Sequence, residues 1–353
     1  MRMSTSSELH KRFAGVLLGT AIGDALGLPA EGLSRSRIHL RWHGQWRHRF
    51  ILGRGMWSDD TEHTLFVAQA LLSHPNDPAA FQRCLAWKLR FWLLGLPAGI
   101  GFATLRSIIK LWLGFSPSRS GVSSAGNGPA MRSAIIGAYF YDEPERRKMF
   151  VSACTRLTHT DPRAETAALA VAEAAACAVA HKTAPADLLS SLQRLGSDPE
   201  WSTICTKLQT AHNVGDSVQT FADSIGPTHG VSGYAYHSVP VALYAWFRHP
   251  DSFQDALTSA LNCGGDTDTV GAIVGALAGA AATPQNISAE WRNGIVEWPR
   301  SVRLLTEMAH RLADQKTQGH VAGSVRYFWP GLVLRNLVFL ITVLVHGFRR
   351  LLP

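Results

Sequence analysis

Charge is scarce in this chain. Only 17% of its 353 residues are Asp, Glu, Lys or Arg, while 46% are hydrophobic; an average soluble domain carries roughly a quarter charged residues. Disorder over a long stretch is therefore excluded, because so apolar a chain buries enough surface to offset its ordering entropy. Paired cysteines are missing too. Cys84, Cys154, Cys177, Cys205 and Cys263 stand singly, odd in number and without a Cys-x-x-Cys, which excludes a zinc knuckle or a disulfide frame and points to a reducing compartment. Alternating apolar and polar runs are nearly absent, so a sheet is not expected. Residues 1–12 are polar and lack the apolar core of a secretory leader, so export is not expected and a cytoplasmic location is. No repeat of solenoid length is present.

The formal net charge of +8 is concentrated rather than spread. Arg35, Arg37, Arg41, Arg47, Arg49 and Arg54 fall between residues 32 and 58 with no acid among them, and five more cations follow Gln315, again with no acid. These two stretches supply eleven positive charges, which leaves the remainder near −3. A general nucleic-acid partner is not indicated. A solvated basic loop is the default reading of residues 35–54, with phosphate or acidic-protein recognition as the alternative.

What the chain does have is helical periodicity, from Phe13 to about Leu312. Segments 61–73, 143–157, 162–181, 253–261 and 270–282 read most clearly as helices, and the fold class is all-α. The Ser- and Gly-rich stretch 114–129 reads as a loop lining a site. Two segments place glycine every fourth residue: Gly15, Gly19, Gly23 and Gly27, then Gly271, Gly275 and Gly279. Each interior glycine costs a helix about 1 kcal/mol relative to alanine, so close backbone packing along a flat stripe must offset it.

The acidic residues gather in two clusters, Ser58-Asp59-Asp60-Thr61 and Asp266-Thr267-Asp268-Thr269, each opening an apolar helical run. One carboxylate per helix start is an ordinary cap. A second adjacent anion adds repulsion unless a cation neutralises it. Four carboxylates with flanking hydroxyls form a hard oxygen set suited to Mg²⁺ or Mn²⁺ rather than zinc, and no His-Glu-x-x-His is present.

Five blocks in order, 15–32 (GVLLGTAIGDALGLPAEG), 57–64 (WSDDTEHT), 126–132 (GNGPAMR), 157–160 (LTHT) and 264–280 (GGDTDTVGAIVGALAGA), together resemble the ADP-ribosylglycohydrolase family. The resemblance implies a single orthogonal helical bundle over 13–313, holding a binuclear site of two Mg²⁺ (or Mn²⁺). It implies hydrolytic removal of ADP-ribose from a modified side chain, most plausibly arginine, or from a related small ADP-ribosyl compound. By position it implies Ser58, Asp59, Asp60, Asp266, Asp268 and Thr269 as metal ligands, Ser58 standing where the family usually has Thr. Glu31, with Asp60 and Asp268, is implied in catalysis. Ser124, Gly126, Asn127, Gly128 and His159 are implied in cradling ADP-ribose, with Asp24 behind the ligands or structural; His63, one turn after Asp59, reads as a solvent or core position by default and as a residue behind the ligands otherwise.

The residues themselves agree with that chemistry. Glycosidic cleavage develops oxocarbenium character that carboxylates stabilise, and water must be delivered to the anomeric carbon. His159 precedes Asp161-Pro162, a good helix start, and is expected ring-exposed at an anion-binding helix end. Trp42, Trp46 and Trp57 read either as adenine-stacking or as packing residues. The alternative function is a non-catalytic, antitoxin-like protein of the same fold that binds ADP-ribose or blocks a transferase. A helical metallophosphohydrolase would need a His-Asp pair, which the chain lacks.

After a linker expected at 314–326, residues 327–353 (YFWPGLVLRNLVFLITVLVHGFRRLLP) change character. The stretch is apolar, aromatic at its start and basic at its end. An interfacial or tail-anchored membrane helix is one reading; a helix packed on the catalytic domain or on a second subunit is the other. Arg335, Asn336 and His346 weigh against a simple span.

Overall fold

The computed structural model describes residues 6–181, 185–226 and 229–351. Residues 1–5 of the polar N-terminal stretch and 352–353 of the tail lie outside it. Among the described residues the secondary structure is helical, extended pairing being confined to isolated bridges, so the all-α expectation holds.

Caps and prolines set where the helices begin. Ser58 accepts from the Asp60 amide, and Asp77, Asp161 and Asp198 each cap a helix whose first residue is proline. This arrangement satisfies amide groups that would otherwise lack partners, and proline has none to satisfy. The expected helices appear at Asp59–Ser73, Pro144–Arg156, Pro162–Val179, Phe253–Leu261 and Thr267–Ala282.

The two glycine stripes pack against each other. The helices Ser6–Gly27 and Thr267–Ala282 run antiparallel with their backbones touching. A Cβ built on Gly15 would stand 2.0 Å from the Gly279 carbonyl oxygen, on Gly19 1.9 Å from that of Gly275, on Gly23 1.9 Å from that of Gly271. No side chain fits there, which explains glycine at every fourth position. The pairing closes at Gly27 against Thr267, and Thr267 Oγ1 donates to the Gly27 carbonyl at 2.8 Å. Beyond it, Gly32 N donates to Gly265 O at 2.8 Å and Gly265 N to Leu33 O at 2.9 Å. The stripe thus delivers Glu31 and the second acidic cluster to the same place. Both helices are buried along nearly their whole length.

The chain beyond residue 313 differs from expectation. The helix Val302–Gln318 continues into the stretch read as linker, and the residues after it are strapped to the bundle. Gln69 Nε2 donates to Val325 O and its Oε1 accepts from Val325 N, each at 2.8 Å. The tail forms the helix Gly331–Leu351, docked through inward-facing polar residues. Arg335 donates to Trp57 O at 2.5 Å and pairs with buried Glu297; Asn336 donates to Gly95 O at 2.7 Å.

Candidate active site

Ser58 and Asp59–Asp60 lie at the start of the helix Asp59–Ser73, and Asp266–Thr269 at the start of Thr267–Ala282. Capping accounts for little of this acidity. Ser58, not an aspartate, caps the first helix, and Asp266 makes no capping bond. Instead Thr269 Oγ1 donates to Asp60 Oδ2 at 3.3 Å, and Ser58 Oγ donates to the same oxygen at 3.0 Å. Clusters more than two hundred residues apart in sequence are joined by one hydrogen bond.

A cleft of about 370 Å³ opens over this junction, lined by all six expected ligand positions together with Glu31, Ser124, Gly126, Asn127, Gly128 and His159. Asn127 Nδ2 donates to Asp266 Oδ2 at 2.6 Å and to Ser238 Oγ at 3.1 Å, so the loop after Ser124 is bonded to the acidic cluster. Ser124 Oγ accepts from Gly126 N at 3.3 Å. The stretch 114–129 therefore lines the site through its end, Ser124 to Gly128, its last two residues opening the short helix Gly128–Met131. A larger hollow of about 870 Å³ lies elsewhere, beside residues 47–54 of the arginine-rich stretch, whose first part, Arg35–Trp42, is a helix and not the loop expected; Glu290 is the hollow's one acidic residue among the described lining.

Five carboxylates face the cleft (Glu31, Asp59, Asp60, Asp266 and Asp268), and no Lys or Arg is among the described residues lining it. Burial, then the neighbouring carboxylates, pushes the Asp59, Asp60 and Asp268 carboxyls well above the usual range. Asp60 Oδ1 is buried without a hydrogen-bond partner. A hard divalent cation would satisfy that oxygen and relieve the repulsion, so the residues fit such an ion. Among the described residues no three His, Cys, Asp or Glu side chains form a ready-made ligand group; the oxygen set here is mixed, part of it hydroxyl.

Asp24 lies beneath the cleft rather than in it. Its carboxylate accepts from Ser58 N at 2.9 Å, from Thr61 N at 3.1 Å and from Thr61 Oγ1 at 2.6 Å, which fixes the turn that carries Asp59 and Asp60. Burial pushes its carboxyl up to about 7 against the pull of those bonds.

One histidine expectation needs correction, and the other resolves to its default. His159 is not ring-exposed but 3% accessible, because Gly126 and Gly128 leave room for its ring. A Cβ on Gly126 would stand 3.3 Å from His159 Nε2, and one on Gly128 3.2 Å from Cε1. Burial, then the charge of Arg132, pushes its imidazole down to about 3. Arg132 donates to Thr158 Oγ1 at 2.6 Å, and that hydroxyl lies 2.9 Å from His159 Nδ1. Accepting from Arg132, the hydroxyl can give its own proton to Nδ1, the arrangement that would leave Nε2 protonated on the side of the glycine loop. His63 stands apart from the cleft lining. It is fully buried edge-on to Trp92, ring centroids 4.5 Å apart, as a core residue. Trp42, Trp46 and Trp57 are likewise buried packing residues.

Several lining residues escaped the sequence. Gly233 belongs to a connection tied on both sides, Asp266 N donating to Val231 O at 2.8 Å and Asn127 N to Gly233 O at 3.0 Å. Phe102 and Thr104 come from the helix Phe102–Trp112, and Phe339 and Val343 from the tail helix. Only the Gly-Val-Ser-Gly run at 230–233 offered a signal, a pair of glycines between helices.

The sequence profile described as ADP-ribosylglycohydrolase matches residues 5–321. The chain belongs to the ADP-ribosylglycohydrolase family. It is 32% identical over 315 residues to an uncharacterized protein of Archaeoglobus fulgidus, covering 87% of this chain and 97% of that one. It is 26% identical over 296 residues to the ADP-ribosyl-[dinitrogen reductase] glycohydrolase of Rhodospirillum rubrum (81% and 91% covered). It is 28% identical over 335 residues to the ADP-ribosylarginine hydrolase Tri1 of Pseudomonas putida (89% and 81%). A solved structure titled ADP-ribosylglycohydrolase-related protein complex superposes with a TM-score of 0.59 at 25% identity, over 88% of this chain and 99% of that one. This glycohydrolase is thus an ADP-ribosyl hydrolase, which favours the enzyme over the non-catalytic alternative. The family match ends before the tail helix begins.

Proposed function

We propose that this glycohydrolase releases ADP-ribose from modified arginine side chains in a reaction that depends on two divalent ions, Mg²⁺ or Mn²⁺. The observation that carries the reading is the Asp60–Thr269 junction under a cleft with five carboxylates and no Lys or Arg among its described lining residues. Arginine as acceptor is supported by the Tri1 relative, whose name specifies ADP-ribosylarginine. Ser58, Asp59 and Asp60 on one side and Asp266, Asp268 and Thr269 on the other would hold the ions. Bound there, they would supply Lewis acidity at the ribose hydroxyls and offset the carboxylate charge.

The chain's own groups do the rest. Asn127 orients Asp266 and fixes the loop on which pyrophosphate would rest. His159, neutral, donates from Nε2 and recognises a phosphate oxygen without adding charge. Glu31 takes a proton from the water that attacks the anomeric carbon. As the C–N bond breaks, the electron pair leaves with the guanidine, which takes up a proton, and the buried carboxylates stabilise the positive charge developing on the ribose.

Purified protein incubated with ADP-ribosylated arginine should release ADP-ribose in Mg²⁺ or Mn²⁺ and stop in chelator. Turnover that persists after exhaustive chelation would remove the metal from the reading, and turnover of other linkages alone would remove arginine.

A further inference from the structure

The helix Gly331–Leu351 is amphipathic the wrong way round for a helix facing water. Three polar residues along its length point into the protein: Arg335 is 7% and Asn336 4% exposed, and His346 Nε2 lies 2.7 Å from Phe50 O. The residues it turns outward are apolar, among them Leu334, Leu337, Ile341, Leu344, Val345 and Phe348, each at least 44% exposed. A lone helix on a water-facing surface carries the reverse pattern.

Charge gathers at its far end. Arg349 shares the 870 Å³ hollow with Arg47, Arg49 and Arg54, against the single acid Glu290. None of these four arginines forms an ion pair among the described residues. From the same hollow Leu52 projects at 98% exposure with φ +46°, a left-handed conformation that a leucine seldom takes.

We propose that this face is an interfacial docking surface for an anionic lipid bilayer, the helix lying along the membrane with its outer side in the acyl boundary, Leu52 inserted beside it and the arginines on the headgroups. The helix does not span. Pulling it into the bilayer would strip Arg335 from buried Glu297 and strand both charges. The inference stands apart from the reaction assigned to the cleft, and its test reads lipid binding.

The test is flotation of the full-length protein with vesicles of phosphatidylcholine alone, and of phosphatidylcholine with added phosphatidylglycerol, at low and high salt. Binding is expected to the anionic vesicles only and to weaken with salt. Leu337→Ser/Ile341→Ser should lower the partition coefficient by about tenfold or more, and Arg47→Gln/Arg349→Gln by roughly fivefold per charge. Thermal unfolding and hydrolysis of a soluble ADP-ribosyl substrate should stay unchanged in both variants, which separates lost docking from lost folding. Wild-type protein that binds neither vesicle, variants that bind as wild type does, or protein held through a high-salt and alkaline-carbonate wash as a spanning helix would be, would each overturn the proposal. So would a dimer in solution that Leu337→Ser/Ile341→Ser dissociates, since a second copy would then cover the face.

Discussion

The floor of the cleft is held by backbone against backbone, Gly23 on Gly271 and Gly27 on Thr267, whereas its outer wall is held by side chains, Arg335 on Glu297 and Phe339 on Phe50. The floor lies inside the segment shared with the family, and the helix that brings Arg335 and Phe339 to the wall lies beyond it. Backbone contact leaves no freedom in position, which suits groups that must meet within hydrogen-bond distance. Side-chain contact leaves the exposed positions of the same helix free to vary. The two regions nevertheless touch: Arg335 bonds Trp57 O, and Glu297 Oε1 accepts from Trp57 N at 3.0 Å, one residue before the first acidic cluster.

If the floor tolerates no side chain, Gly23→Leu should yield no soluble folded protein, and Gly23→Ala should cost more than the roughly 1–3 kcal/mol usual for overpacking. A melting temperature within a few degrees of wild type would break the contrast at its root. Next in size, Asp60→Asn and Asp268→Asn should lower hydrolysis on the order of a thousandfold. In chelator the same variants should melt higher than wild type, because each removes a buried carboxylate repelled by its neighbours. Loss of activity with loss of stability would instead mark them as scaffolding.

The wall has its own test. Arg335→Ala leaves Glu297 buried and unpaired, and should cost about 3–5 kcal/mol in a denaturant titration, with Arg335→Ala/Glu297→Gln recovering part of it. Phe339→Ala should raise KM by about tenfold with a smaller change in kcat, since Phe339 lines the cleft but carries no chemistry.

The smallest effect is a pH dependence of the response to a cation at the floor. The carboxyls of Asp24, Asp59, Asp60 and Asp268 lie above their ordinary range, Asp24 at about 7. Folding therefore takes up protons there, and their contribution to stability falls as pH rises from near 4 through 7. His63 and His159, pushed down, contribute in the opposite sense, and neither is a proposed ligand. The rise in melting temperature on adding Mg²⁺ should thus grow between pH 4.5 and 8, and a flat difference would deny that the cation answers the carboxylates.

Much of the floor was legible because its signals are local. Glycine at every fourth position announces a backbone contact, and adjacent carboxylates at a helix start announce charge in need of a partner. What the glycines would touch was not legible, since either stripe could have met a third helix. The burial of His159 escaped because the space for its ring is made by Gly126 and Gly128, more than thirty residues earlier. His63 sits one turn after Asp59, and spacing alone does not tell a residue beneath a site from one beside it. Phe102, Gly233 and Phe339 reach the cleft from separate parts of the chain, and nothing near them in sequence marks the destination. The tail's composition showed an apolar helix with polar exceptions, but only packing decides which side those exceptions face.

The pairing of Gly15 with Gly279, Gly19 with Gly275 and Gly23 with Gly271 works as a ratchet with teeth four residues apart. One residue inserted into either helix would turn everything past it by about 100°, swinging Glu31 or Asp268 out of the cleft even if every other contact survived. Variation in length among such chains should accordingly collect in connections and ends, and a graft of new sequence will succeed at residue 320, in an exposed connection, where it fails at residue 21.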